Sequence, residues 1–548
     1  MIRRLLGLLK KVLWLLPGFL LFVSFPPMGR MLDVFFALAP LLWYARRHSP
    51  RASAKMFFAN GILFWVATLS WMPAIIKNGG PWPLVVLGWG ALSAYCAMFF
   101  AAFGWLSSSV WRWVDEDGAT GRAYTKRLFA ILFAEPVLWA GIELLRSRLF
   151  GGFAWNQLGV AAVNAGFGSP AAIGGVYLVS AAIILVNGTM ASIVERMMRR
   201  GTAGEVPRAL RTLETILPLA LVFAMYSVGG GFRPNASNGA SAPAEHLKVA
   251  MMQRNFPPPF QPPGPNPQKV YAGLADRAAP WRPDLVVLPE SAFVEFGDFG
   301  GSNTYAFAQW LLRRTGADAV LGGGCRSSDG RLYNSAALYL RDAAAKDMQV
   351  YDKVHLVPFG EYIPGDKIVT SLQKLAPVGS CTPGELRTIP FKGGRLGVAI
   401  CFEDTDSAQM RALADMGAGM LVFITNDSWF SNSVEAEQHA WQATARAVET
   451  GLPVVRVGNN GVTGTISPDG KASWLLDADG KVLVDAPGSM VDRISMAPAV
   501  GEGGAGRPPT TPYVAVGDWP LGITFALLIA AMILVKYSRY GKLRSMSV

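Results

Sequence analysis

The sequence predicts two unlike parts in one chain: a multi-pass α-helical membrane bundle of about eight spans, and one α/β domain set before the last span. Three observations carry this prediction. The first is composition: 51% of the 548 residues are hydrophobic and only 16% are charged, against roughly 25% charged in soluble domains. The second is where the charge lies. The formal net charge is +12, yet from Leu247 to Gly517 there are 24 Lys and Arg against 27 Asp and Glu. The basic excess is therefore confined to the apolar remainder, as membrane topology signals are, which argues against a nucleic-acid groove. The third is periodicity. From Lys248 onward, short β-branched runs such as DLVVLPE, RLGVAIC and GMLVFITND alternate with helical patterns, which is the mark of an α/β domain.

Apolar runs of spanning length occur near 11–25, 31–45, 57–75, 84–110, 128–146, 170–192, 212–228 and 518–536. The first two are short for a span of roughly 20 residues. The first run is followed by Phe25-Pro26-Pro27 and lacks a small-residue cleavage site, so it reads as a retained helix and not as a signal peptide. Lys and Arg mark the cytoplasmic loops. Alternate loops and the two termini carry 21 basic residues, while the other short loops carry only Arg30, Lys77, Arg146 and Arg148. This predicts eight crossings, both termini inside and the α/β domain outside. The expected organisation is spans one to seven over 1–228, a small, polar, Pro/Gly-bearing linker over 229–246, the α/β domain over 247–505, and a return segment with the last span over 506–548. Glu135 and Glu143 fall inside the fifth run. Intramembrane acids are costly, and Arg146, one turn from Glu143, is a candidate partner.

Four cysteines without CxxC or Cys/His spacing, and four histidines, give no disulfide scaffold and no structural zinc site. No metal or nucleotide motif is visible, and no cofactor is expected. Cys325 and Cys381 would face an oxidising compartment in this topology; free thiols are the default reading and a disulfide between them the alternative, since sequence does not supply the geometry.

In open α/β sheets, functional side chains gather at strand C-terminal ends, and three such ends carry chemistry. Leu288-Pro289-Glu290-Ser291 places a carboxylate there, the type of group that serves as a general base. The loop from Tyr351 to Tyr362 supplies Lys353 and, eight residues on, Glu361. Gly397-Val398-Ala399-Ile400-Cys401-Phe402-Glu403-Asp404 ends an apolar strand in a thiol, a candidate nucleophile. Taken singly, each has an ordinary structural reading: a surface or capping Glu, a solvated Lys, a small core Cys. Their joint order and local contexts carry the case.

The ordered set PES, Y-x-K-x-H-L-V-P-F-G-E-Y-x-P and G-x-x-I-C-F-E resembles the nitrilase, or carbon-nitrogen hydrolase, superfamily. More narrowly, it resembles that superfamily's membrane branch, the apolipoprotein N-acyltransferase family. The HLVPFGEY string is the most specific part. Tyr333-Asn334-Ser335, Asn426-Asp427-Ser428-Trp429-Phe430 and Asn459-Asn460-Gly461 extend the likeness, which spans nearly the whole chain. The resemblance implies an αββα sandwich for the α/β domain, with Glu290 as general base, Lys353 as oxyanion-stabilising cation and Cys401 as nucleophile. It also implies that Glu361 orients Lys353 and that Glu403 shapes the site. Phe402 stands where the family often has Tyr, the run Thr405-Asp406-Ser407 is more polar than usual, and the Pro-rich stretch 256–268 is long.

The substrates implied are a phospholipid acyl donor and, as acceptor, the α-amine of an S-diacylglyceryl cysteine at a lipoprotein N-terminus. Both sit at the outer face of the inner membrane, and no nucleic acid is involved. A thiol of pKa about 8.5 is mostly protonated at neutral pH; Glu290 would take that proton and a Cys401 thioester would follow, in ping-pong order. A membrane-anchored amidase uses the same trio with water as acceptor. A scaffolding protein with an inert outer domain is the reading from another class. His355 and His439 are read as packing or hydrogen-bonding residues.

Overall fold

The computed structural model describes residues 13–117, 121–198, 208–232, 245–258, 261–262, 264–292, 299, 301–327, 329–344, 347–363, 381–498 and 511–545. Most of the 229–246 linker and the leading basic residues Arg3, Arg4, Lys10 and Lys11 lie outside them. The chain forms two compact units.

The first unit is helical. Among its described residues, five helices are long and apolar enough to cross a membrane: Trp82–Asp115, Gly121–Arg146, Ala171–Met198, Thr212–Gly231 and Trp519–Ser538. They coincide with the last five expected runs. The first three runs appear as shorter pieces, Leu16–Val23, Val34–Ala37 with Ala39–Arg47, and Pro50–Thr68. Pro26-Pro27 follows the first piece, and Pro40 opens the second helix of the second pair. Small residues bring helix backbones together: a Cβ on Gly61 would press on Phe100, and one on Gly104 on Phe57. Buried charge is matched inside this unit. Arg46 lies 3.4 Å from Glu135, and Arg127 bridges Glu195 (2.7 Å) and Glu214 (2.6 Å). The anticipated Glu143–Arg146 pair is replaced by other partners. Glu143 accepts from Trp139 Nε1 and Leu158 N, while Arg146 donates to the carbonyls of Phe153 and Trp155.

The second unit contains two six-stranded sheets. The strands are β1 (Glu245–Gln253), β2 (Leu285–Val287), β3 (Asp318–Arg326), β4 (Leu332–Tyr339), β5 (Gln349–Asp352), β6 (Ile389–Phe391), β7 (Gly394–Ile400), β8 (Met420–Thr425), β9 (Val454–Gly458), β10 (Gly464–Ile466), β11 (Ala472–Trp474) and β12 (Gly488–Met496). The sheet orders are β12-β1-β2-β3-β4-β5 and β11-β10-β9-β8-β7-β6. Each has a parallel centre, β1-β2-β3 in one and β7-β8-β9 in the other, because helices carry the crossovers: Pro267–Ala278 and Ser302–Thr315 in the first, Ser407–Asp415 and Glu435–Thr450 in the second.

Strand alternation sorts the side chains. Leu247, Val249 and Met251 of β1 join Val398, Ile400, Val422 and Val455 of the other sheet in one buried core, whereas Ala250 and Met252 face the helices with Leu274 and Leu311. A matching outer core forms between the second sheet and its helices, around Leu413, Phe423 and Ala447. The result is the expected αββα sandwich. Helix ends follow local rules: the Asn266 side chain accepts from Lys269 N ahead of Pro267, and Gly316 and Gly451 end helices with left-handed φ of +70° and +69°.

Segment Ala74–Pro81 also belongs to this second unit. Asn78 is its anchor: Nδ2 donates to the carbonyls of Trp429 (2.6 Å) and Ser428 (3.2 Å), and Oδ1 accepts from Gln261 (2.9 Å).

Candidate active site

The parallel strands of both sheets end at one place. β2 runs out through Leu288 and Pro289 into Glu290, which is 7% exposed. Gly322 on the neighbouring β3 permits that approach, since a Cβ there would collide with Pro289 O and lie 2.7 Å from Glu290 Cα. β5 delivers Lys353, 1% exposed, whose backbone is clasped on both sides: its N–H donates to Asn334 O (2.8 Å) and its carbonyl accepts from Gly384 N (2.8 Å). β7 of the other sheet delivers Cys401. The residue sits at φ +55°, a left-handed conformation that non-glycine residues adopt only when their surroundings impose it. It opens a 3₁₀ turn, Cys401–Thr405.

The imposing group is Glu403. Fully buried, it accepts from Ile400 N (2.8 Å), Val354 N (2.8 Å), His355 N (3.0 Å) and the Tyr351 hydroxyl (3.0 Å). Glu403 thus bolts the Cys401 turn to the loop that carries Lys353. Asp406 closes the same turn and caps the next helix by accepting from Ala408 N (2.9 Å), which explains the polar run 405–407. Phe402 lies edge-on to His355 at 5.8 Å.

Glu361 accepts from Lys353 Nζ (2.9 Å), Asn334 Nδ2 (2.6 Å) and Val357 N (2.8 Å). Asn334 donates to Glu290 Oε1 as well (2.6 Å), and Lys353 Nζ lies 3.9 Å from that oxygen. All six residues singled out in the sequence, Glu290, Lys353, Glu361, Cys401, Phe402 and Glu403, therefore fall in one neighbourhood. Asn334 links both carboxylates; its sequence signal was only the Tyr333-Asn334-Ser335 match.

The electrostatics follow from burial beside charge. Burial pushes the Cys401 thiol well above its ordinary range, reinforced by Glu290 and Asp427 and opposed by Lys353. The resting sulfur is therefore S–H although the residue keeps intermediate exposure. Burial also raises the Glu290 carboxyl, against Lys353 and Asn334. Burial would lower Lys353, but the surrounding acidic groups outweigh it and hold the ammonium charged. A raised carboxyl next to a neutral thiol is arranged for proton transfer during attack, not for a standing thiolate. Cys325 and Cys381 are not joined by a disulfide.

Behind the turn lies a second buried cluster that sequence reasoning missed. His439 Nε2 is 2.9 Å from Asp404 Oδ1, and Nδ1 is 3.0 Å from Asp427 Oδ1 and 3.6 Å from Glu435 Oε1. Arg456 pairs with Asp404 and lies 3.6 Å from Asp427. Asp427, Glu435 and His439 offer ligand atoms within 4.8 Å of one another, but both imidazole nitrogens already face carboxylates and Arg456 supplies a second cation. The cluster is assigned as a charge network.

Residues 17–189 match the family described as Apolipoprotein N-acyltransferase N-terminal domain, and residues 256–497 match Carbon-nitrogen hydrolase. The apolipoprotein N-acyltransferase of Geobacter metallireducens is 32% identical over 83% of this chain and 84% of its own length. That of Photobacterium profundum is 26% identical over 95% and 94%. The crystal structure of a carbon-nitrogen hydrolase from Helicobacter pylori G27 aligns with 46% of this chain and 89% of its own at 18% identity, with a TM-score of 0.34. With its membrane helices, its αββα unit and this level of identity across both, the chain belongs to the apolipoprotein N-acyltransferase family.

Proposed function

We propose that this protein transfers an acyl chain from a phospholipid to the α-amine of the N-terminal S-diacylglyceryl cysteine of lipoproteins, through a thioester on Cys401. The observation that carries the reading is the convergence of Glu290, Lys353 and Cys401 from two sheets in a chain that bears, among its described residues, five helices long and apolar enough to cross a membrane. Acyl chains of donor and acceptor then need not leave the bilayer. Eight crossings, cytoplasmic termini and an outward catalytic unit are the topology that the basic-residue asymmetry supports.

In the first half-reaction, Glu290 takes the Cys401 proton as sulfur attacks the ester carbonyl carbon. The oxyanion forms against the Lys353 ammonium, the electrostatic contribution that is usually the largest. The C–O bond breaks, and the lysophospholipid oxygen leaves with the proton held by Glu290. In the second, the acceptor amine attacks the thioester and gives a proton to Glu290. The C–S bond breaks, and the sulfur recovers that proton. Glu361 keeps Lys353 in place, and Glu403 holds the turn. The alternative acceptor is water, as in an amidase.

The test is incubation of the purified enzyme with phospholipid labelled in its acyl chains and a diacylglyceryl-cysteine peptide. Label appearing as amide on the peptide is the expected result; label released only as free fatty acid would replace this reading with the hydrolase.

A further inference from the structure

We propose that His439 is a positioning residue for the Cys401 thiol, acting as the buried cation that neutralises Asp404 and Asp427 behind the Cys401–Thr405 turn. The proposal rests on the reading of Cys401 as nucleophile and assigns a task to a residue that touches neither substrate nor sulfur.

The geometry comes first. His439 is 1% exposed on helix Glu435–Thr450, and the groups that face it come from its own helix and from three other elements. Asp404 lies in the Cys401 turn itself, three residues from the thiol. Asp427 lies in the turn after β8 and is held by Thr425 Oγ1 at 2.7 Å. Glu435 is one turn back on the same helix, and Arg456 projects from β9. The imidazole spans the two aspartates, one per nitrogen. Nδ1 is hydrogen-bonded to Asp427 Oδ1, and Nε2 stands in ion-pair contact with Asp404 Oδ1, a placement between two carboxylates that favours the imidazolium. From the same helix, Arg446 donates to Thr405 O at 2.7 Å and pairs with Glu449. One face of this helix therefore grips the turn twice, once through a side chain and once through a carbonyl.

Charge accounting gives the reason. Burial favours a neutral Glu435 acid, and Asp427 pushes it further that way. Burial alone would lower the imidazole, but Asp404 and Asp427 prevail and raise it to about 10. Two aspartates against His439 and Arg456 then sum to zero. Removing the imidazolium charge leaves a net negative cluster in a low-dielectric interior, where Coulomb effects are large. Asp427 already opposes ionisation of the Cys401 thiol and of Glu290, so the imbalance would fall on the proton transfer that starts the reaction.

The test uses the full-length enzyme in detergent. Alkylation of Cys401 by iodoacetamide at pH 7.5 is followed by peptide mass spectrometry, with turnover measured alongside. His439→Gln, which keeps a donor but loses the charge, is expected to slow alkylation about tenfold, the equivalent of one pKa unit at the thiol. It should lower kcat with KM little changed. Asp427→Asn added to it restores neutrality and is expected to recover most of the alkylation rate. Asp427→Asn alone, with His439 intact, is expected to speed alkylation, and it decides the matter should His439→Gln not fold. Unchanged alkylation in folded His439→Gln, a double variant as slow as the single, or slower alkylation in Asp427→Asn would each overturn the proposal. Turnover that persists in Cys401→Ala would instead overturn the nucleophile reading, and alkylation rates reveal that case separately.

Discussion

Glu135 in the helical unit and Glu290 in the sandwich are both buried carboxylates beside a cation, and they are treated in opposite ways. Glu135 is saturated. Ser107 and Trp111 donate to Oε1 at 2.8 and 2.9 Å, Arg46 reaches Oε2 at 3.4 Å, and the guanidinium lies 4.3 Å from the Trp111 ring centre. Glu290 accepts from Asn334 through Oε1, its lysine stands off at 3.9 Å, and among the described residues Oε2 has no protein donor. A carboxylate whose bonding capacity is filled by fixed donors fastens helices together; one left with spare capacity beside a thiol can accept a proton. The same contrast recurs within the sandwich, where Glu403 is saturated and Glu290 is not.

This comparison can be broken experimentally. The largest expected effect is at Glu290. Glu290→Gln keeps the shape and the Asn334 contact but cannot accept the proton, and kcat is expected to fall about 10²- to 10⁴-fold, measured as label transferred to the peptide. Lys353→Met comes next, with a loss of about 10²- to 10³-fold, the scale of a lost oxyanion partner. It also carries a pH signature. Glu290 must be ionised to act, and burial raises its pKa while Lys353 lowers it. The acid limb of kcat/KM should therefore lie above the ordinary carboxylate value of about 4.3, with activity lost as pH falls through it. Removing Lys353 should move that limb to still higher pH; a limb that stays put would mean Glu290 is not the titrating group.

Glu135→Gln is the converse case. It leaves Arg46 short of its carboxylate and is expected to cost about 3–5 kcal/mol of stability, read as a lower thermal midpoint in detergent, while the surviving folded enzyme keeps its turnover number. Turnover lost without loss of stability would erase the distinction. The smallest effect is at Tyr351→Phe, which removes one of the Glu403 donors. It is expected to destabilise by about 1–3 kcal/mol, the range for a buried acceptor deprived of a partner, with Glu290 and Lys353 chemistry intact.

The parts legible in the sequence were those written in contiguous residues. The sandwich strands show as short apolar runs with polar ends, and Glu290, Lys353 and Cys401 each stand where such a run stops. The long apolar helices show by length alone. The first two runs blur because Pro26-Pro27 follows the first and Pro40 opens a new helix within the second, so hydropathy registers a run where the backbone makes short helices; the third is one helix, Pro50–Thr68. Asn334 bridges two carboxylates 44 and 27 residues away, and His439 meets Asp404 from a different helix. Neither has a spacing that announces it, since an amide and an imidazole acquire such roles only when tertiary packing brings the acids to them. Asn78 illustrates the same point, because nothing local says that a residue between two apolar runs caps the carbonyls of Ser428 and Trp429.

The central claim is the Cys401 thioester, and the most direct measurement is the intact mass of the purified enzyme after incubation with phospholipid alone, beside Cys401→Ala. The account predicts a mass gain of one acyl chain on the wild type, none on the variant, and loss of the adduct when a diacylglyceryl-cysteine peptide is added. A folded wild type that forms no adduct, or a Cys401→Ala enzyme that acquires the same one, would contradict it.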